Sequence, residues 1–136
     1  MRLWLEKAEG DLLVAGLVVN GSLPSYEAAS FHAQQAGEKA LKALLIRHQI
    51  AFTRTHDLGE LLRLCEAMAP GISRTLAEAE TLNRHAVKSR YPESGAPVSR
   101  EESARDLATA AAVVGHVRAL VQPYLDAGRP PGRTER

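Results

Sequence analysis

Cysteine is almost missing from this 136-residue chain; Cys65 stands alone. An internal disulfide is excluded, and so is any zinc site built from several thiolates. A surplus of one charge is missing too. Seventeen Lys and Arg face sixteen Asp and Glu, a formal net charge of +1. A basic coat that grips nucleic acid without regard to sequence does not fit that balance, so any anion site must come from local clustering. Long apolar runs are also absent. The longest, Leu12 to Val19 and Leu107 to Gly115, fall far short of the roughly 20 residues of a membrane span. The opening residues, Met1 to Lys7, place a glutamate where a secretory leader needs an apolar core. A cytoplasmic protein with no membrane contact is expected. P-loop, GxGxxG, HExxH, CxxC and GxSxG patterns are all lacking.

What the chain does have is alanine, twenty-two residues of it, against only two asparagines. That bias favours helices packed closely through small side chains. Periodicity and punctuation give five helical segments. The first, from about Leu3 to Val19, carries Leu5, Ala8, Leu12, Ala15 and Val19 on one stripe and stops at Asn20-Gly21-Ser22. The second, from about Tyr26 to Gln49, lines one face with Ala29, Ala33, Ala36, Ala40, Ala43 and Leu44. Glu38 and Lys42 form an i,i+4 pair on another face.

Asp57 is placed to cap the third helix, with Glu60 reaching back from the N3 position. Leu58, Leu61, Leu62, Cys65 and Met68 follow at helical spacing, which makes Cys65 a buried packing thiol. Pro70-Gly71 ends that helix. The fourth is expected from about Ser73 to Lys88, burying Ile72, Leu76, Ala79, Leu82 and Ala86. After a loop over Ser89 to Val98, Ser99-Arg100-Glu101-Glu102 reads as a capping box opening the fifth helix. No segment alternates with the period of a half-buried strand. The fold class is therefore all-α, an antiparallel up-and-down bundle of four long helices plus one short helix. It should occupy residues 1–126, with a flexible basic tail over 127–136. The broad apolar coverage of the first, second and fifth helices points to a homodimer.

Three blocks carry a family likeness: Ser30-Phe31-His32-Ala33-Gln34-Gln35-Ala36-Gly37-Glu38-Lys39-Ala40-Leu41-Lys42, then Thr55-His56-Asp57-Leu58, then Arg90-Tyr91-Pro92. In this order and at these separations the chain resembles the HEPN domain over roughly residues 1–126. The resemblance implies a dimerising helical bundle. It also implies a small bacterial stand-alone protein paired with a minimal nucleotidyltransferase in a toxin–antitoxin-like arrangement. Some HEPN proteins are metal-independent ribonucleases whose signature is an Arg, four to six residues, then a His. This sequence departs from that signature, because no His stands five to seven positions after any Arg. His85 and Arg90 hold the spacing only in reverse.

The strongest local chemistry is Arg84-His85-Ala86-Val87-Lys88-Ser89-Arg90-Tyr91, with no acid between Thr81 and Pro92. Arg84, Lys88, Arg90 and Tyr91 form a candidate rim for nucleotide or RNA, with Arg forks for phosphate and Tyr91 to stack on a base. The structural alternative is that cations gather at a helix C-terminus to meet its dipole. Were RNA cleaved, His85 would be the base, and Arg84 and Arg90 would stabilise the charge developing on phosphate. His32 reads as part of an interior polar network, and His56 as a brace beside a helix cap. No His-x3-His pair exists and the carboxylates show no ligand spacing, so no metal and no cofactor are expected. The first reading is an interaction module. A ribonuclease toxin and a nucleotide-binding accessory without chemistry stand as the alternatives.

Overall fold

A computed structural model describes residues 1–21, 25–85 and 97–127, with no strand among them. Its elements are α1 (Arg2–Asn20), α2 (Tyr26–Arg47), α3 (Leu58–Cys65), α4 (Ile72–Thr75), a 3₁₀ segment (Ala77–His85) and α5 (Arg100–Ala127). No helix among these residues is long and apolar enough to cross a membrane.

Two arginines fix the topology. Arg2 Nη2 donates to the Leu125 carbonyl and Arg100 Nε to the Val19 carbonyl, both at 3.1 Å. The start of α1 thus meets the end of α5, and the end of α1 meets the start of α5. α2 turns back along α1 after a short connection, so it runs parallel to α5 and packs directly on it. Arg47 accordingly stacks 3.7 Å over the Tyr124 ring near the far ends of both helices.

α2 is the central helix. Ala33, Ala36, Ala40 and Ala43 are fully buried and let its neighbours approach closely, while Leu41, Leu44 and Leu45 fill the space beyond. Each such leucine contributes roughly 1.5–3 kcal/mol of burial. α3 adds Leu58, Leu61, Leu62 and Cys65, all at the core.

The α3 cap forms at the expected residue by a different wiring. Asp57 accepts from the Gly59 and Glu60 amides at 2.9 and 3.4 Å. Glu60 does not reach back; its carboxylate accepts from Thr55 Oγ1, and that hydroxyl in turn accepts from the Asp57 amide. Asn83 closes over the same helix end, accepting from the Leu58 amide at 2.9 Å. After Pro70, Gly71 sits at φ +89°, a left-handed turn that favours glycine.

The fourth element departs from the expected single long helix. One α-turn is followed by nine residues of 3₁₀ helix. The buried positions explain the winding: Leu76, Ala79, Leu82 and His85 recur every third residue, the repeat of a helix with three residues per turn. His85 therefore faces inward at the place where an α-helix would have turned Ala86. Ala86 itself lies outside the described residues, as do Lys88, Ser89, Arg90 and Tyr91.

α5 opens on its expected cap, with Ser99 Oγ accepting from the Glu102 amide at 3.0 Å. The helix continues past Pro123, which removes one backbone donor, and is described as far as Ala127. Residues 128–136 of the expected tail lie outside the described set.

Candidate functional site

The sequence shows Arg84 and His85 in a stretch without acids, yet the fold supplies two. Glu102 and Asp106 stand four apart on α5 and meet the C-terminal end of the 3₁₀ segment. Arg84 Nη2 lies 3.0 Å from Glu102 Oε2 and 3.1 Å from Asp106 Oδ1. Its Nε donates to Glu102 Oε2 at 3.1 Å, and its Nη1 donates to the Thr81 carbonyl. The guanidinium therefore bridges both carboxylates while its side chain stays 46% exposed.

His85 approaches the same pair from the inner side. Its Nε2 lies 2.9 Å from Asp106 Oδ2 and 3.7 Å from Glu102 Oε2, with only 8% of the side chain exposed. The nearer contact is close without being aligned as a hydrogen bond, so Nε2 is buried and has no hydrogen-bond partner among the described residues. Ser30, fully buried on α2, donates to Asp106 Oδ2 at 2.8 Å. Burial alone would raise the Asp106 carboxyl. The His85 imidazole, the Ser30 hydroxyl and the Arg84 charge outweigh it and hold the group below its usual range.

These contacts turn the segment's first cation inward. Arg84 is paired rather than free for phosphate, and His85 is shielded where a general base must reach a substrate hydroxyl. The carboxylates that do this are an i,i+4 pair on α5, a spacing that the expectation of no metal ligands had passed over. His85, Glu102 and Asp106 place three potential ligand atoms within 4.8 Å of one another.

Two further networks tie α2 to its surroundings. His32 Nδ1 meets Asp11 Oδ1 at 2.9 Å, and Lys39 Nζ meets Asp11 Oδ2 at 2.8 Å, joining α1 to α2. His56 Nδ1 meets Glu38 Oε1 at 2.9 Å, and Lys42 Nζ meets Glu38 Oε2 at 2.8 Å. Both histidines thus serve as braces.

The family model described as the HEPN domain matches residues 1–120. The chain belongs to the HEPN family. Two solved structures agree. An archaeal HEPN homologue, ST0689, aligns at a TM-score of 0.70 with 28% identity, covering 88% of this chain and 96% of its own. TT1696 from Thermus thermophilus aligns at 0.69 with 32% identity, covering 87% and 95%. MJ1304 of Methanocaldococcus jannaschii, described as a candidate toxin, is 31% identical over 98 residues. That match spans 68% of this chain and 63% of MJ1304. Within this HEPN chain, the long helix-two block that carried the resemblance lies inside α2, and its Gln34, Glu38 and Lys42 are buried polar residues.

Proposed function

We propose that this HEPN protein is the helical member of a toxin–antitoxin-type pair. It works in the cytoplasm beside a minimal nucleotidyltransferase and meets nucleotide or RNA through the segment that Arg84 begins. The observation that carries the reading is the HEPN match over most of the chain together with the likeness to a candidate toxin. Arg84, locked to Glu102 and Asp106, would anchor the start of that segment and present Lys88, Arg90 and Tyr91 to a phosphate-bearing partner. A second copy would cover the outer face of α1, where Leu3, Leu13, Val14 and Leu17 are exposed.

A ribonuclease is the second reading. It draws support from the Asp106 carboxylate 2.9 Å from His85 Nε2, because an acid beside an imidazole favours the protonated form that a general base passes through. Its burial argues for the interaction module first. The test is co-expression with the product of the adjacent reading frame, co-purification, and an RNA-degradation assay on each component. A stable complex with no cleavage by either free protein supports the interaction module. Cleavage by the HEPN chain alone that disappears in His85→Ala supports the ribonuclease, and failure to co-purify removes the partner role.

A further inference from the structure

The geometry points to a divalent-cation site formed by His85, Glu102 and Asp106, with zinc the best-suited ion and Arg84 its built-in competitor. The donor set is one imidazole nitrogen and two carboxylates, drawn from the 3₁₀ segment and α5. That combination suits zinc, whereas magnesium and calcium take oxygen donors.

The spacing also fits. Ligand atoms around a tetrahedral zinc at ordinary bond lengths lie about 3.3 Å apart. The His85 Nε2 distances to Asp106 Oδ2 and Glu102 Oε2, 2.9 and 3.7 Å, fall on either side of that value. Three protein ligands would leave a fourth position for water.

The second observation is the state of His85. Its imidazole is more than nine-tenths buried, and Nε2 is aimed into the carboxylate pair, where its 2.9 Å approach to Asp106 Oδ2 is an ion-pair contact not aligned as a hydrogen bond. A buried nitrogen whose near carboxylate is misaligned is better satisfied when something occupies its lone pair or accepts its proton along the right direction. A metal ion does the first. The outer shell is already present, because the Ser30 hydroxyl orients Asp106 from α2 at 2.8 Å.

Arg84 explains how the two carboxylates stay neutralised without the ion. It takes Asp106 Oδ1, the oxygen turned away from His85, and shares Glu102 Oε2. With its side chain 46% exposed, it can swing to solvent when a doubly charged ion replaces it. The ion would then pin the end of the 3₁₀ segment to α5 and release one guanidinium.

Competition gives a test that a plain ion-pair network would fail. Zinc binding to the untagged full chain is measured by calorimetry, with cobalt substitution read from its visible absorption. Wild type should bind one zinc per chain and give a tetrahedral cobalt spectrum. Glu102→Gln and His85→Ala should weaken binding by more than about tenfold. Arg84→Gln should strengthen it several-fold. Glu102 is a partly exposed position, so its variant keeps the test valid if His85→Ala fails to fold. Three results would each overturn the site. They are no zinc binding by either wild type or Arg84→Gln, binding that survives Glu102→Gln unchanged, and Arg84→Gln binding more weakly than wild type.

Discussion

His56 Nδ1 stands 2.9 Å from Glu38 Oε1, so a half-exposed imidazole seals a carboxylate that is only 5% exposed. The same carboxylate accepts from Lys42 Nζ at 2.8 Å and from Gln34 Nε2 at 3.1 Å. Lys42 is itself buried, with its ammonium 5.9 Å from the Trp4 ring centre and 5.6 Å from that of Phe52. Burial by itself would raise the Glu38 carboxyl. The contacts from Lys42, His56 and Gln34 outweigh it, so the group lies below the usual carboxylate range.

This network predicts an acid-sensitive fold. A carboxyl whose folded pKa is depressed contributes its stability fully above the unfolded value of about 4.3 and loses it as pH falls through the folded value. Urea titrations at stepped pH should therefore show wild type losing stability between about pH 5 and pH 3. Glu38→Gln should have a flatter acid limb. An equally steep limb in the variant would remove Glu38 as the cause.

Removing one member of a buried pair leaves the other uncompensated. Glu38→Gln should cost about 3 kcal/mol at neutral pH, because the Lys42 ammonium stays buried without its counter-charge. Adding Lys42→Met to that background should recover much of the loss, since the ammonium is gone and Gln can still serve Gln34 and His56. A double variant whose loss equals the sum of the two single losses would show the pair to be uncoupled.

Ser30 offers a cleaner measurement. Its hydroxyl is fully buried and bonds only to Asp106 Oδ2 among the described residues. Ser30→Ala keeps the helix and removes one charge-assisted bond, a cost of roughly 1.5–3 kcal/mol. Denaturant unfolding with an unchanged slope would confirm a pure stability effect.

How far the sequence carried these conclusions differs by residue. The α3 stripe through Cys65 and the Ser99 cap could be read directly, because spacing and capping are local properties. The Cys65 thiol is indeed buried, and that burial pushes it up to about 12. The fourth element misled for a physical reason: its residues suit an α-helix, and only the packing of every third side chain selects the tighter winding. Glu38 and Lys42 were legible as a pair but not as a buried one. An i,i+4 ion pair looks the same on paper whether it faces water or the Trp4 ring. The site at Arg84 was half visible. Its cations are contiguous in sequence, while Glu102 and Asp106 arrive from another helix through tertiary contact alone. Their own i,i+4 spacing was the signal available to find them.

The buried thiol makes a reactivity prediction. Cys65 is the chain's one cysteine, fully buried in the core, so no competing thiol complicates the reading. Because the thiolate is the reactive form, labelling by a disulfide reagent at a pH of about 8 should be negligible in the folded protein and complete on unfolding. Its rate should track opening of α3 as denaturant rises. Fast labelling without denaturant would place Cys65 at the surface instead.

The outer face of α1 bears on the proposed dimer. Leu13 is 66% exposed and Leu17 is 67% exposed, one helical turn apart, with Val14 beside them at 40%. Gly10 lies one turn earlier, and a Cβ there would meet nothing within 4 Å, so the helix surface is open to a close neighbour. Both copies carry both leucines, each already about one-third covered, so burying the four would contribute roughly 4–8 kcal/mol. Leu13→Ser with Leu17→Ser should then raise the dimer dissociation constant by about three powers of ten or more. Neither side chain contributes to the monomer core, so helicity and unfolding of the isolated chain should stay close to wild type. Analytical ultracentrifugation across a concentration series decides the matter. A wild-type dimer that survives the double substitution places the interface elsewhere, and a wild-type monomer at high concentration leaves this face for a different partner.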